Sequence, residues 1–199
     1  MNPWDERYAP DTYFYGTEPN DFLRAQAATI PVGGTVLCLG EGEGRNSVYL
    51  AGQGYEVVAL DQSAVGLKKA ERLASTKGAH IHFLVANLDG YRFEDSRWDG
   101  IVSIWCHLPS AIRVSIHRQV ARGLKPGGIF LLEAYTPRQI RNNTGGPKDV
   151  DLLPSLAEMR LDLAGLEILV GTEIDRVVRE GTGHTGMSSV VQIVARRPT

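Results

Sequence analysis

The sequence is poor in cysteine, in excess charge of either sign and in long apolar runs, and each shortage removes a class of protein. Only two cysteines occur, Cys38 and Cys106, with no Cys-x-x-Cys pair. Both sit inside apolar stretches, which points to buried free thiols rather than a disulfide frame or a metal site. Twenty-one Lys plus Arg against 23 Asp plus Glu leave a net charge of -2, so no global field is available to hold nucleic acid. No apolar segment approaches the ~20 residues of a membrane span. Met1–Tyr8 carries two acids and no apolar core, unlike a signal peptide. These absences predict a cytoplasmic chain without a nucleic-acid, membrane or metal partner. What is present is ordinary globular material, 199 residues with 43% hydrophobic and 22% charged, enough for one well-buried domain.

The organising pattern is alternation. Thr35–Leu39, Tyr55–Leu60, His80–Ala86, Gly100–Trp105 and Ile129–Glu133 read as strands rich in aliphatic residues. Between them, 46–52, 64–76 and 109–122 carry apolar residues at helical spacing, with Ser63 as an N-cap and Gly78 as a stop. Strands separated by helices of this length require right-handed crossovers and a parallel sheet. The ending differs. Leu166–Val178 and Ser188–Arg196 are joined by too short a connection for a helix, which predicts an antiparallel hairpin on the sheet edge. The expected fold is therefore a Rossmann-like, doubly wound α/β domain over residues 31–199. Its mostly parallel, seven-stranded sheet ends in that hairpin. Residues 1–30 fall outside the alternation and are expected to form a helical cover, rich in aromatics at Trp4, Tyr8, Tyr13, Phe14, Tyr15 and Phe22.

The strongest chemical signal is Gly40-Glu41-Gly42-Glu43-Gly44, between the first strand and a helix. Glycines let the chain turn sharply and let a ligand lie against the backbone, and the helix start beyond offers unpaired amides. Asp61 closes the second strand, where a carboxylate can receive ribose hydroxyls. Loop and acid together indicate a nucleoside. No Gly-Lys-Ser or Gly-Lys-Thr exists for a phosphate loop, and both frames of G-x-G-x-x-G fail, at Arg45 and at Ser47. Two loop acids suit a sulfonium and an ammonium better than a pyrophosphate. S-adenosylmethionine carries both.

Val36-Leu37-Cys38-Leu39-Gly40-Glu41-Gly42-Glu43-Gly44-Arg45-Asn46 resembles motif I of class I S-adenosylmethionine-dependent methyltransferases, and Leu124-Lys125-Pro126-Gly127-Gly128 resembles their turn before strand five. Trp4-Asp5-Glu6-Arg7-Tyr8, Tyr15-Gly16 and Pro19-Asn20-Asp21-Phe22-Leu23 are similar to the N-terminal segment of the small bacterial tellurite-resistance and thiopurine-methylating branch. The resemblance assigns Gly40, Glu41, Gly42 and Gly44 to the methionine side and loop, with Arg45 and Asn46 also binding the cofactor. It gives Asp61 to the ribose, with Gln62 beside the adenine and Ser63 also in the cofactor site; Asn87 and Leu88 flank the adenine edge, and Trp105 and Cys106 lie near the methyl group. Cys38 and Asn87 depart from the pattern, each standing where an acid is common.

Methyl transfer to a soft nucleophile needs little beyond alignment, whereas a hydroxyl or carbon acceptor needs a base. His107, after the fourth strand, is the candidate catalytic residue; Tyr15, Glu133, Tyr135 and His184 are candidates to meet the acceptor. No Asn-Pro-Pro-Tyr-like motif follows strand four in Ile104-Trp105-Cys106-His107-Leu108-Pro109, which argues against nucleic-acid bases. The expected reaction is methylation of a small molecule, with a thiol or chalcogen oxyanion as its class. A nucleotide-binding oxidoreductase and a non-catalytic S-adenosylmethionine-binding regulator are the alternatives.

Overall fold

The computed structural model describes residues 2–199. Helices α1 (Pro3–Tyr8) and α2 (Asp21–Gln26) lead into strand β1 (Thr35–Leu39). There follow α3 (Arg45–Gly52), β2 (Glu56–Asp61), α4 (Ala64–Lys77), β3 (Ile81–Val85), β4 (Trp98–Ile104), α5 (Ser110–Gly123), β5 (Leu124–Tyr135), α6 (Leu156–Asp162), β6 (Glu167–Glu180) and β7 (His184–Arg196). The seven strands form one sheet in the order β3-β2-β1-β4-β5-β7-β6, parallel through β5 and antiparallel in β7 and β6. The doubly wound sheet and its edge hairpin are as the sequence predicts.

Strand periodicity divides the core into two layers. Val36 and Cys38 of β1 pack on one side with Phe22, Leu23 and Leu50. Leu37 and Leu39 pack on the other with Ile116, Val120 and Met159 of α5 and α6. Cys38 is buried, Cys106 is partly buried, and both are free thiols. The Ser63 hydroxyl caps α4 by accepting from the Gly66 amide, and Gly78 ends it in the left-handed conformation.

Two strands begin well before the expected residue. β5 begins at Leu124, which pairs with Trp98 before the register shifts to Gly100↔Ile129; the Pro-Gly-Gly sequence at 126–128 reads locally as a turn. β7 begins at His184 because the turn from Glu180 is tight enough to pair those two residues. The sheet order reverses between β1 and β4, so the loops after these strands open a crevice at their carboxyl ends. Open α/β sheets bind ligands there.

Candidate active site

Gly40 leaves β1 at φ +60°, and a Cβ placed there would lie 2.7 Å from the Cys106 Sγ. The loop thus needs glycine to run beside the strand-four loop. Asp61, at the end of β2, accepts the Gly42 amide (2.9 Å) on Oδ2 and the Ser63 amide (2.7 Å) on Oδ1. Each oxygen keeps a lone pair for a further donor. Burial raises this carboxyl against the pull of those amides. Glu41 Oε1 accepts the Asn46 and Ser47 amides at the start of α3, at 3.1 and 2.7 Å, and burial pushes its carboxyl up to about 7.

A cavity of about 470 Å³ fills the crevice, within the range of small-ligand sites. Gly40, Glu41, Arg45, Asn46, Asp61, Gln62, Asn87, Leu88 and Cys106 line one part of it. Its other part is walled by Trp105, His107 and His184, with Phe14 and Tyr15 from the N-terminal segment. Burial holds the Cys106 thiol protonated, at about 12. Asn87 accepts the Asp89 amide in a local turn, leaving its amide nitrogen for a ligand.

The second wall is a cluster of rings. Trp105 lies 4.4 Å from the Tyr135 ring and 4.9 Å from that of His184, while His107 stacks on Tyr135 at 5.5 Å and 7°. Trp105 adopts φ +56°, a conformation that side chains rarely hold and that collects at functional sites. Its amide donates to the Glu133 carbonyl and its indole N–H to Glu180 Oε2. His107 Nδ1 lies 3.0 Å from the Leu152 carbonyl, so it carries the proton and leaves Nε2 as an acceptor. That Nε2 has no hydrogen-bond partner among the described residues. Burial lowers His107 to about 4 and also lowers His184, so both imidazoles are neutral at neutral pH.

Several sequence expectations change in place or role. Gly42, Gly44 and Ser63 do not line the cavity; they shape the loop and cap the helix that carry its walls. Glu43 does not face a cationic ligand, because it is buried in an ion pair with Lys69, 2.5 Å away, and accepts the Phe14 and Tyr15 amides. Glu133 does not line the cavity: it is fully buried, held by Arg176, Asn20 and Gln192. Tyr135 stands behind the ring wall rather than on it. His184, read as part of a turn, is a buried cavity residue. The sequence reading missed Arg7, Glu180 and the Lys69 clasp. A lysine among the buried positions of α4, between Leu67 and Leu73, is the one signal that points to the clasp.

The residues present fit S-adenosylmethionine. Arg45 is buried and lines the cavity, with NH1 unpartnered among the described residues; Asp61 has lone pairs to spare, and Glu41 supplies negative charge.

Residues 36–128 match the family described as a methyltransferase domain. The chain is similar to 2-heptyl-1-hydroxyquinolin-4(1H)-one methyltransferase of Mycobacteroides abscessus, 26% identical over 131 residues, 64% of this chain and 57% of that protein. It thus matches little more than half the length of that relative. In fold it resembles a structure solved for the conversion of a disulfide bond into a thioacetal group during echinomycin biosynthesis. That likeness has a TM-score of 0.77 at 20% identity, over 98% of this chain and 90% of the other. TehB from Haemophilus influenzae gives a TM-score of 0.72 at 20% identity, over 98% of this chain and 65% of that one. Residues 36–128 thus match a methyltransferase-domain family, and the strand order agrees with the fold of these solved structures.

Proposed function

We propose that the chain methylates a small molecule, and that the acceptor presents a nucleophile that ionises readily, a thiol or a chalcogen oxyanion. The observation that carries this reading is one continuous cavity, walled by Gly40 and Asp61 on one side and by Trp105, His107 and His184 on the other. When bound, S-adenosylmethionine would supply a methyl group on a sulfonium, for transfer to the acceptor's lone pair with the carbon–sulfur electrons left on sulfur. The protein's residues hold and orient. Arg45 and Asp61 would receive the carboxylate and the ribose hydroxyls, and Asn87 the adenine edge. Trp105 and Tyr15 bound the acceptor and exclude water, while Arg7 supplies positive charge to an anionic one. The carboxylates of the cavity, Glu41 and Asp61, both belong to the glycine-loop side. His107 Nε2 can accept a hydrogen bond from the acceptor, but a nitrogen held at about 4 is a weak base at neutral pH. This favours an acceptor that arrives ionised. The tellurite-resistance-like branch would supply such acceptors, and the N-terminal cover, with Trp4, Arg7, Phe14 and Tyr15 on the cavity, is consistent with it.

The stacked rings favour a second reading, a planar hydroxylated heterocycle like the quinolone named for the Mycobacteroides relative. Calorimetry with S-adenosylhomocysteine and with NAD separates a methyltransferase from an oxidoreductase. Transfer of labelled methyl to thiophenols, selenite, tellurite and hydroxyquinolones then identifies the class. Binding of S-adenosylhomocysteine with transfer to none of these would replace the enzymatic reading with that of a regulator.

A further inference from the structure

Glu180 is absent from the cavity wall, yet three parts of that wall are tied to it. Its Oε2 accepts from Arg45 NH2 and from the Trp105 indole N–H, both at 2.6 Å. Oε1 accepts from Asn20 Nδ2 at 2.7 Å, and His184 Nδ1 lies 3.6 Å from Oε2. The side chain is 7% exposed. Asn20 in turn caps α2 and bridges to Glu133, whose charge Arg176 offsets. Burial favours the neutral carboxyl, but His184 and Arg45 outweigh it and hold Glu180 down at about 2. It is an anion at any working pH.

A buried ion pair is weak evidence for stability, because desolvation offsets much of its attraction. What this carboxylate does fix is direction. It accepts from NH2 of the Arg45 guanidinium, so NH1, which has no partner among the described residues, is left to the ligand. It also holds the indole of Trp105, whose backbone occupies the left-handed region. Arg45 belongs to the start of α3 and Trp105 to the loop after β4, and the two make no hydrogen bond with each other.

We propose that Glu180 is a positioning residue that sets Arg45 for the cofactor and Trp105 for the acceptor from a single carboxylate, and so aligns the two halves of the cavity. This rests on the methyltransferase reading for the ligand's identity. The three tryptophans give three indole N–H cross-peaks in a nitrogen–proton spectrum, and Trp105→Phe assigns the one in question. In Glu180→Gln that peak moves upfield, and S-adenosylhomocysteine binds roughly tenfold more weakly, as for the loss of one charge-assisted contact. Should Glu180→Gln fail to fold, Arg45→Lys serves: it keeps a cation but loses the fork, and it shifts the Trp105 peak through Glu180. A Glu180→Gln protein that merely melts earlier, with the Trp105 peak unmoved and affinity unchanged, overturns the proposal. So does Arg45→Lys with an unmoved peak. Failure of the unaltered protein to bind S-adenosylhomocysteine counts against the methyltransferase reading instead, and the indole measurement still decides the role of Glu180.

Discussion

Replacing Glu41 by glutamine tests the electrostatics of the cavity. Its carboxyl is buried beside the glycine loop and titrates at about 7, against 4.5 for an ordinary glutamate. A glutamine carbonyl can still accept the Asn46 and Ser47 amides, so the substitution removes the charge and spares the loop. Between those two values the folded protein retains a proton that the unfolded chain releases. Stability therefore falls as pH rises from about 4.5 to about 7 and is flat on either side. At 1.36 kcal/mol per pH unit the loss amounts to about 3 kcal/mol. Urea unfolding at pH 4.5, 5.5, 6.5 and 7.5, read as the difference between variant and parent, cancels the histidines common to both. The expected result is a variant that gains about 3 kcal/mol on its parent across this range. A constant difference, or one of opposite slope, would refute the reasoning. The same carboxyl makes a second readout available. A cationic ligand favours its ionised form, so S-adenosylmethionine binding at pH 6 should release about one proton from the parent and none from the variant. Calorimetry in buffers of different ionisation enthalpy measures this.

Asp61→Ala should cost about 1.5–3 kcal/mol of S-adenosylhomocysteine affinity, with Asp61→Asn losing less because it keeps an oxygen for one loop amide; equal affinities by calorimetry would remove Asp61 from the site. His107→Ala should lower the methylation rate by much less than the ~10²-fold of an essential base, and a larger loss with cofactor affinity intact would indicate an oxygen or carbon nucleophile. Gly44→Ala combines φ +92° with a Cβ 2.5 Å from that of Ala70 and should destabilise by about 2–4 kcal/mol; a loss under about 1 kcal/mol in urea would show that α3 and α4 separate freely. Cofactor product should slow amide exchange in α1, which carries Trp4 and Arg7 on the cavity; unchanged exchange there would argue against its being a cover that closes.

The parts of the fold that local chemistry governs could be read from the sequence. Ser63 and Gly78 bound α4 because a hydroxyl and a missing Cβ satisfy helix ends wherever the helix lies. The unbroken apolar run of β1 announces a strand buried on both faces. Glu133 could not be placed the same way. Its strand position is evident, but whether it faces a ligand depends on Arg176, 43 residues later. His184 follows a glycine-rich turn and looks exposed until the hairpin register folds it against Trp105. The loop acids Glu41 and Glu43 are two residues apart and chemically identical, yet one borders the cavity and the other meets Lys69. Only the α4 lysine distinguishes them.

The N-terminal segment also carries a consequence for the order in which the chain is made. Lys69 gathers the carbonyls of Tyr8, Pro10 and Thr12, and the Phe14 carbonyl accepts the amides of Thr182 and Gly183. Residues 8–14 thus bond to partners synthesised about 60 and about 170 positions later. Proteins fold as whole domains during synthesis, and here this segment waits for partners made much later before it finds its place. A chain halted before the β6–β7 turn would have its glycine loop and Asp61 in hand but neither His184 nor the partners that hold Phe14 against the cavity. Such a product could offer a nucleoside site open to water and no chamber in which to transfer a methyl group.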